Sequence, residues 1–333
     1  MVEYPCAKPP TFMIIVTGAA GFIGSVLVSV LNERGFEDLL LVDKFGRADR
    51  ASNLKDKQFF NCIEREDLAA FLQVLETEVD AVFHIGARTD TAEMNVELFE
   101  ELNLKPSKLL WEYCTEHKVP FIYASSAATF GGGEHGYSDA HEIVNSLKPL
   151  NAYGDSKQLF DQWVLEQKEE PPFWAGLKFF NVYGPNEYHK GRMASVIYHA
   201  FNQITATSKM KLFRSHRADI ADGQQSRDFI FVEDLVDMLL WLNEHQPESG
   251  LYNIGTGQAR SFEDLAANVF KALDKEPDIS YIDTPADIRE TYQYFTEADM
   301  SKIRNAGYEK PFTSLEQGID QYVKKYLLDS RRR

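Results

Sequence analysis

Tyr153-Gly-Asp-Ser-Lys157 places a phenol and an amine four residues apart. On a helix that spacing sets both side chains on one face, with their Cβ atoms about 5–6 Å apart. A phenol titrating near pH 10 is a poor base at neutral pH, but a neighbouring ammonium stabilises tyrosinate and draws it toward a working range. Upstream, Tyr123-Ala-Ser-Ser-Ala-Ala-Thr-Phe-Gly131 sets Ser126 at the end of an apolar run. A hydroxyl there could donate to a substrate oxygen and aim it at Tyr153, because ligands of open α/β sheets gather at the carboxyl ends of strands. Ser126, Tyr153 and Lys157 therefore read as a proton-transfer group.

A second motif, Thr17-Gly18-Ala-Ala-Gly21-Phe22-Ile23-Gly24, follows a short β-rich run and opens a helical pattern. Glycine there permits the tight turn, lets backbone approach a pyrophosphate and packs helix on strand, while free N–H groups face the anion. Asp43, 19 residues after Gly24, stands where an acid accepts hydrogen bonds from a ribose 2′-hydroxyl, which alone favours NAD. Lys44, Arg50 and Arg65 follow it, and such cations could neutralise the 2′-phosphate of NADP. Residue types leave the choice between the two cofactors open. Lys157 is also placed to hold a ribose hydroxyl of either.

The elements that must hold these groups follow from periodicity. Met13–Thr17, Leu39–Asp43, Ala81–His84, Phe121–Ala124 and Leu177–Val182 read as strands. Between them Ser25–Glu33, Leu68–Leu75, Ser107–Thr115 and Asn151–Glu169 carry helical spacing. Strands alternating with helices of this length imply a doubly wound parallel sheet, an α/β Rossmann domain, covered on both faces. Beyond Gly184-Pro185 the rhythm loosens into a smaller α+β part. We expect the dinucleotide-binding domain to comprise 13–180 with about 226–243, and the substrate domain about 181–225 with 244–333. Ser314-Leu-Glu-Gln317 has the form of a capping box opening the last helix. Residues 1–12 read as an extended arm, and Arg331-Arg332-Arg333 as a solvated tail.

Composition narrows the partners. The chain of 333 residues has 44% hydrophobic and 26% charged residues, an ordinary globular balance with ample core. Its 35 basic against 51 acidic residues give a net charge of −16. Such a surface repels phosphate backbones and anionic lipid heads, which argues against nucleic acid and membrane as partners. The uncharged stretch 9–32 is broken by Gly18, Gly21 and Gly24 and does not read as a signal or a membrane span. Cys6, Cys62 and Cys114 match no metal spacing, so no metal is expected and a reducing cytoplasm fits.

Taken together, the glycine motif, the Ser126 segment, Tyr-x-x-x-Lys, Phe179-Phe-Asn-Val-Tyr-Gly-Pro185 and Arg227-Asp-Phe-Ile-Phe-Val-Glu-Asp234 resemble the extended short-chain dehydrogenase/reductase family. That family includes nucleotide-sugar epimerases and dehydratases. Ser125-Ser-Ala-Ala-Thr129 lacks the acidic pair that dehydratases use there. Asn181-Val-Tyr-Gly-Pro-Asn-Glu-Tyr-His-Lys190-Gly-Arg-Met-Ala-Ser195, Tyr292–Asp299 and Ala306–Phe312 resemble the branch that inverts C6 of an ADP-heptose.

The resemblance implies a nucleotide-sugar substrate, bound NADP (NAD being possible), a homo-oligomer, and Lys190 as a second acid/base. Inverting an unactivated secondary alcohol by hydride removal and return to the opposite face puts the oxygen in two places, so two proton-transfer groups spare either one from crossing the pocket. Phe22, Ile23, Ile85, Gly86, Ala87, Arg88, Thr89, Asn103 and Val182 are implied to line the cofactor. Asn181, Arg192, His199, Phe213, Arg214, Ser215, His216, Arg227 and Tyr292 are implied to hold the substrate, with the planar fork of Arg227 suited to a diphosphate. Three departures cluster on the substrate side. Arg192 replaces a small serine, Ile85 replaces an acid, and 213–227 is longer than the family pattern. Two other readings remain open here: epimerisation of a different nucleotide sugar, such as a 4-epimerase, and a non-catalytic cofactor sensor on the same fold. The ligand-directed cations are expected to converge on one cleft.

Overall fold

The computed structural model describes residues 12–286, 289 and 292–333; most of the expected N-terminal arm, with Cys6, lies outside the described residues. Seven strands form one all-parallel sheet: β1 (Phe12–Thr17), β2 (Leu39–Asp43), β3 (Asn61–Glu64), β4 (Glu78–His84), β5 (Phe121–Ser126), β6 (Trp174–Phe179) and β10 (Gly250–Ile254), in the order β10-β6-β5-β4-β1-β2-β3. β2 is buried at all five positions and β5 at all six, as expected for strands covered on both faces.

The crossovers carry α1 (Phe22–Glu33), α2 (Ala48–Ala51), α3 (Leu68–Gln73), α4 (Val96–Phe99), α5 (Lys105–His117) and α6 (Ala152–Leu165). One face of the sheet packs against α1 and α8 (Val232–His245), through Val26, Leu27, Leu235 and Leu239. The opposite face packs against α5 and α6, through Leu110, Trp111, Phe160 and Val164. This is the doubly wound sheet that the periodicity predicts.

Two expected elements divide differently. The run Leu177–Val182 is not one strand: β6 ends at Phe179, and β7 (Asn181–Tyr183) turns away into a second, three-stranded sheet with β9 (Ser226–Phe231) and β11 (Ala259–Ser261). Between them, the Phe180 N–H donates to the carbonyl of Ile254 (3.1 Å), which starts the turn. So 226–231, expected in the dinucleotide-binding part, builds the second sheet. Gly250–Ile254, expected in the substrate part, pairs with β6 as an edge of the main sheet. β3 has no apolar run to announce it, and its four residues are all half-buried.

The remaining core gathers α7 (Val196–Thr207), α9 (Phe262–Ala272) and α11 (Leu315–Gln321) around β8 (Met210–Phe213) and β12 (Ile279–Ile282), with the short α10 (Ser301–Asn305) beside β10. The Ser314 capping box is present at α11, with Ser314 and Gln317 bonding each other's backbone. Arg331–Arg333 departs from the expected solvated tail. The Arg333 side chain donates to Glu233 (2.7 Å) and to Glu33 (2.8 Å), because those two acids leave a negative socket beside α1 and α8.

Candidate active site

The glycine motif forms the turn from β1 into α1. Gly18 has φ +68°, and a Cβ there would come within 2.6 Å of Gly86 Cα. A Cβ on Gly24 would lie 2.1 Å from the Gly18 carbonyl oxygen. Both closures are backbone against backbone, so no larger residue fits. Gly21 caps α1 with no side-chain bond, and the N–H groups of Phe22, Ile23 and Gly24 have no acceptor within the helix. With no acid in the first turn, this end is prepared for an anion.

A cleft of about 930 Å³ opens on that turn, lined by Gly18, Gly21, Phe22, Ile23, Gly24, Asp43, Lys44, Arg50, Arg65, Ile85, Gly86, Ala87, Arg88, Thr89 and Lys190. Its volume lies in the range of cofactor sites. Of the cations expected to converge, Lys44, Arg50, Arg65 and Lys190 do so, joined by Arg47 and Arg88. Lys157, Arg192, Arg214 and Arg227 stand outside this lining. The Asp43 carboxylate is heavily engaged. One oxygen accepts from Ala20 N–H (2.9 Å), the other from Lys44 N–H (2.7 Å) and the Arg50 guanidinium (3.4 Å). Lys44 and Arg65 both donate to Glu66. The Nε atoms of Arg50 and Arg88 are buried without a partner among the described residues, which is costly in a finished core and fits a site that takes phosphate oxygens.

The proton-transfer group sits on α6 and at the end of β5. The Ser126 hydroxyl hydrogen-bonds Tyr153, which offsets part of the upward push that burial gives the phenol. Lys157 Nζ donates to the Ala124 carbonyl (2.7 Å). Burial lowers this ammonium to about 8, against the pull of Asp161. Burial is the larger influence on the phenol, and Lys157 Nζ is engaged by a carbonyl oxygen.

Two chains of hydrogen bonds hold this group. Asp161 accepts from Tyr123 (3.0 Å), Ser125 (2.7 Å) and Lys178 (2.7 Å), and Lys178 also donates to Thr129 (2.8 Å). Both charges of the Asp161–Lys178 pair are wholly buried. The second chain starts at Gly86, whose N–H donates to the Thr17 hydroxyl (3.1 Å), itself 2.7 Å from His84 Nδ1. On the far side of the ring His84 Nε2 lies 2.9 Å from Ser107, whose hydroxyl donates to the Asn103 carbonyl (2.6 Å). Those directions assign the neutral ring with its proton on Nε2, and burial indeed lowers His84 to about 3. Asn103 then ties the Arg88 backbone (2.7 and 3.1 Å) to Ser156 on α6 (2.9 Å). Asn103, expected on the cofactor, is buried, and its side chain joins the Arg88 loop of the cleft to the helix of Tyr153.

Lys190 lies on the short 3₁₀ segment Tyr188–Met193, its ammonium 5.5 Å from the Phe22 ring. Burial lowers it below the usual lysine range, Glu187 opposes that, and Arg50 adds to it. The buried Glu187 carboxylate accepts from the Ser195 hydroxyl (2.7 Å) and Gly184 N–H (3.3 Å).

On the substrate side Phe213 and Tyr292 meet edge to face at 6.2 Å, and the Arg227 guanidinium lies 5.4 Å from the Tyr292 ring. Arg227 is buried and donates to the carbonyls of Ser226 (2.8 Å) and Gln293. Four other expected residues are engaged elsewhere. Arg214 pairs with Asp222 (3.9 Å), Ser215 bonds Asp222 and Arg217, His216 N–H donates to the Tyr294 hydroxyl (3.0 Å), and Arg192 pairs with Asp90 (3.5 Å). Asn181 is exposed at the start of β7. Val182 packs toward the main core and His199 beside Tyr198 on α7, and neither lines the cleft. Residue types missed His84, Asp161, Lys178, Asn186 and Glu187. Asp161, one helical turn after Lys157, carried the only usable signal. Among the described residues there is no metal-binding group of three or more His, Cys, Asp or Glu side chains, and no helix is long and apolar enough to cross a membrane.

Known proteins are similar to this chain in sequence and in fold. The chain is 45% identical over 325 residues to ADP-L-glycero-D-manno-heptose-6-epimerase of Fusobacterium nucleatum, covering 95% of this chain and 98% of the relative. It is 48% identical over 317 residues to the protein of the same name from Nitratidesulfovibrio vulgaris, with the same coverage. The crystal structure of Helicobacter pylori ADP-L-glycero-D-manno-heptose-6-epimerase superposes with a TM-score of 0.78 at 29% identity, covering 94% of this chain and 95% of that one. With residues 14–255 matching its pattern from the glycine turn to the edge strand β10, the chain belongs to the NAD dependent epimerase/dehydratase family.

Proposed function

We propose that this protein is an isomerase that inverts C6 of ADP-glycero-manno-heptose through a transient 6-keto sugar, with NADP as its bound nicotinamide cofactor. The observation that carries the reading is the placement of Lys190 in the cleft of the glycine motif, in a chain 45–48% identical over 95% of its length to two proteins named for this activity. When bound, the nicotinamide supplies hydride uptake and return. Tyr153, aligned by Ser126, exchanges the hydroxyl proton on one face of C6, and Lys190 does so on the other. A depressed lysine is suited to that role because it gives and takes a proton near neutrality. Arg227, paired with no carboxylate among the described residues, would hold the diphosphate against Tyr292 and Phe213.

The preference for NADP rests on Asp43 and Arg50. Both Asp43 oxygens already accept protein donors, leaving little for a ribose 2′-hydroxyl. Arg50, with its unpartnered Nε, and the neighbouring Lys44 and Arg65 suit a 2′-phosphate. Incubation with ADP-D-glycero-D-manno-heptose, followed through its H6 proton signal, should show conversion. The Tyr153→Phe protein should be slower by about 10²–10⁴-fold. Absence of conversion by protein that retains its cofactor would refute the substrate. The mass of the nucleotide released on denaturation decides between NADP and NAD.

A further inference from the structure

The Lys190 segment is a 3₁₀ turn of six residues with a break at Gly191, φ +54°. It has no long helix or strand to fix it, so its position depends on bonds from other parts of the chain. Asn186, fully buried with φ +76°, supplies several. Its amide nitrogen donates to Ser25 Oγ on α1 (2.9 Å) and to the Arg333 carbonyl (3.0 Å), and its amide oxygen accepts from Arg333 N–H (2.9 Å). Its own carbonyl accepts from Asn53 (3.2 Å), and the same Asn53 amide donates to Ala20 in the glycine turn (3.1 Å).

Two residues further, the C-terminal segment takes hold again. The Tyr188 hydroxyl donates to the Arg331 carbonyl (2.9 Å), and the Arg332 guanidinium stacks 4.0 Å from the Tyr188 ring. The strap is anchored in turn, by Arg333 to Glu233 and Glu33, and by Lys57 to the Arg333 carbonyl (2.6 Å).

We propose that Asn186 and the Arg331–Arg333 strap are positioning residues for Lys190, holding it over the glycine turn without touching substrate themselves. The inference rests on the reading of Lys190 as the second acid/base. Its physical basis is that all four hydrogen bonds named for the buried Asn186 amide and carbonyl depend on partners far away in sequence. Without the strap, a buried donor and acceptor are left unpaired, and the segment gains freedom to move. A displacement of about 1 Å at a reacting group is enough to cost up to about 100-fold in rate. Tyr153 stands apart from this, since it is held by α6 and the Asn103 and Asp161 networks.

The test is a double-mutant cycle on the full-length, cofactor-loaded protein, read as single-turnover epimerisation at high enzyme concentration. Arg333→Ala should lower kcat about 10-fold to 100-fold with KM nearly unchanged and the bound nucleotide retained. Asn186→Ala should do the same, and Arg333→Lys should keep most of the rate. In the Lys190→Met background, where the rate has already fallen, adding Arg333→Ala should have no further effect. An equal fold-loss in both backgrounds, or a loss confined to KM, would show that the strap serves general stability and overturn the proposal. If Arg333→Ala does not fold, the same cycle run with Tyr188→Phe, which removes only the bond to the Arg331 carbonyl, gives the same two outcomes on a smaller scale. Should Lys190→Met itself leave the rate intact, it is the second acid/base reading that fails, a result distinct from equal losses in the two backgrounds.

Discussion

Tyr153 and Lys190 are held in place by different means. Tyr153 stands on a fourteen-residue helix, α6, whose register alone puts Lys157 beside it and Asp161 one turn further on. The surrounding polar groups, Asp161, Lys178 and His84, are buried and satisfied by partners on β1, β5, β6, α5 and α6. Lys190 stands on a broken 3₁₀ turn whose attachments come from Ser25, Asn53 and Arg333. A helix fixes a side chain through its own backbone bonds, so one region is built locally. The other is built by side chains brought from distant parts of the chain. Of the substrate-side departures noted above, Arg192 falls on the second region. That is where change costs the fold least.

The sharpest way to break this comparison is to damage the Tyr153 side. Lys178→Met leaves the Asp161 carboxylate buried without its cation and should destabilise the protein by about 3–5 kcal/mol, measured by urea denaturation. Replacing both partners with apolar residues should recover much of that. A loss below about 1 kcal/mol for the single change would mean that the pair is not the girder described.

A smaller, graded effect should come from pH. His84 is neutral when folded, with its proton affinity lowered to about 3, whereas in the unfolded chain it titrates near 6.5. Between those values the unfolded state binds more protons, so stability rises with pH across that window. The contribution of His84 is present in full above about 6.5 and is lost as the pH falls toward about 3. Denaturation midpoints across that range should flatten in His84→Gln; an unchanged slope would remove His84 from the list of acid-sensitive groups.

Arg192→Ser should give the smallest effect on stability. Its side chain is 60% exposed and its pair with Asp90 spans 3.5 Å, so the fold should change by less than about 0.5 kcal/mol. The same substitution should alter the KM for nucleotide sugar more than kcat. A stability loss above about 1 kcal/mol would mean that the mouth of the cleft is as tightly built as its floor.

Legibility in sequence followed the same division. The glycine turn, the Tyr-Lys pair and the doubly wound sheet could be read because each is encoded within a few residues by spacing. The capping box at Ser314 was legible for that reason too. Asn186, Glu187 and the docking of Arg331–Arg333 were not, since Asn186 and Arg333 meet across 147 positions and nothing local marks either as a partner. The pairing of Gly250–Ile254 with the main sheet is not legible locally, because a strand's sheet is chosen by its neighbour in space, here β6, and not by its own residues. The bonds of Asn103 to Arg88 and Ser156 reach 15 and 53 positions along the chain, and no local spacing marks them.

The strap also has a meaning in time. Ribosomal synthesis at about 5–20 residues per second delivers Arg333 roughly 7–30 s after Asn186, given the 147 positions between them. During that interval β1 to β6, the glycine turn and α6 are already made, so a nascent chain can possess the cofactor cleft and the Tyr153 group before Lys190 is secured. The bonds from Arg331–Arg333 to the Tyr188–Met193 turn and to Asn186 therefore form only after the glycine turn and α6 have been joined into the chain.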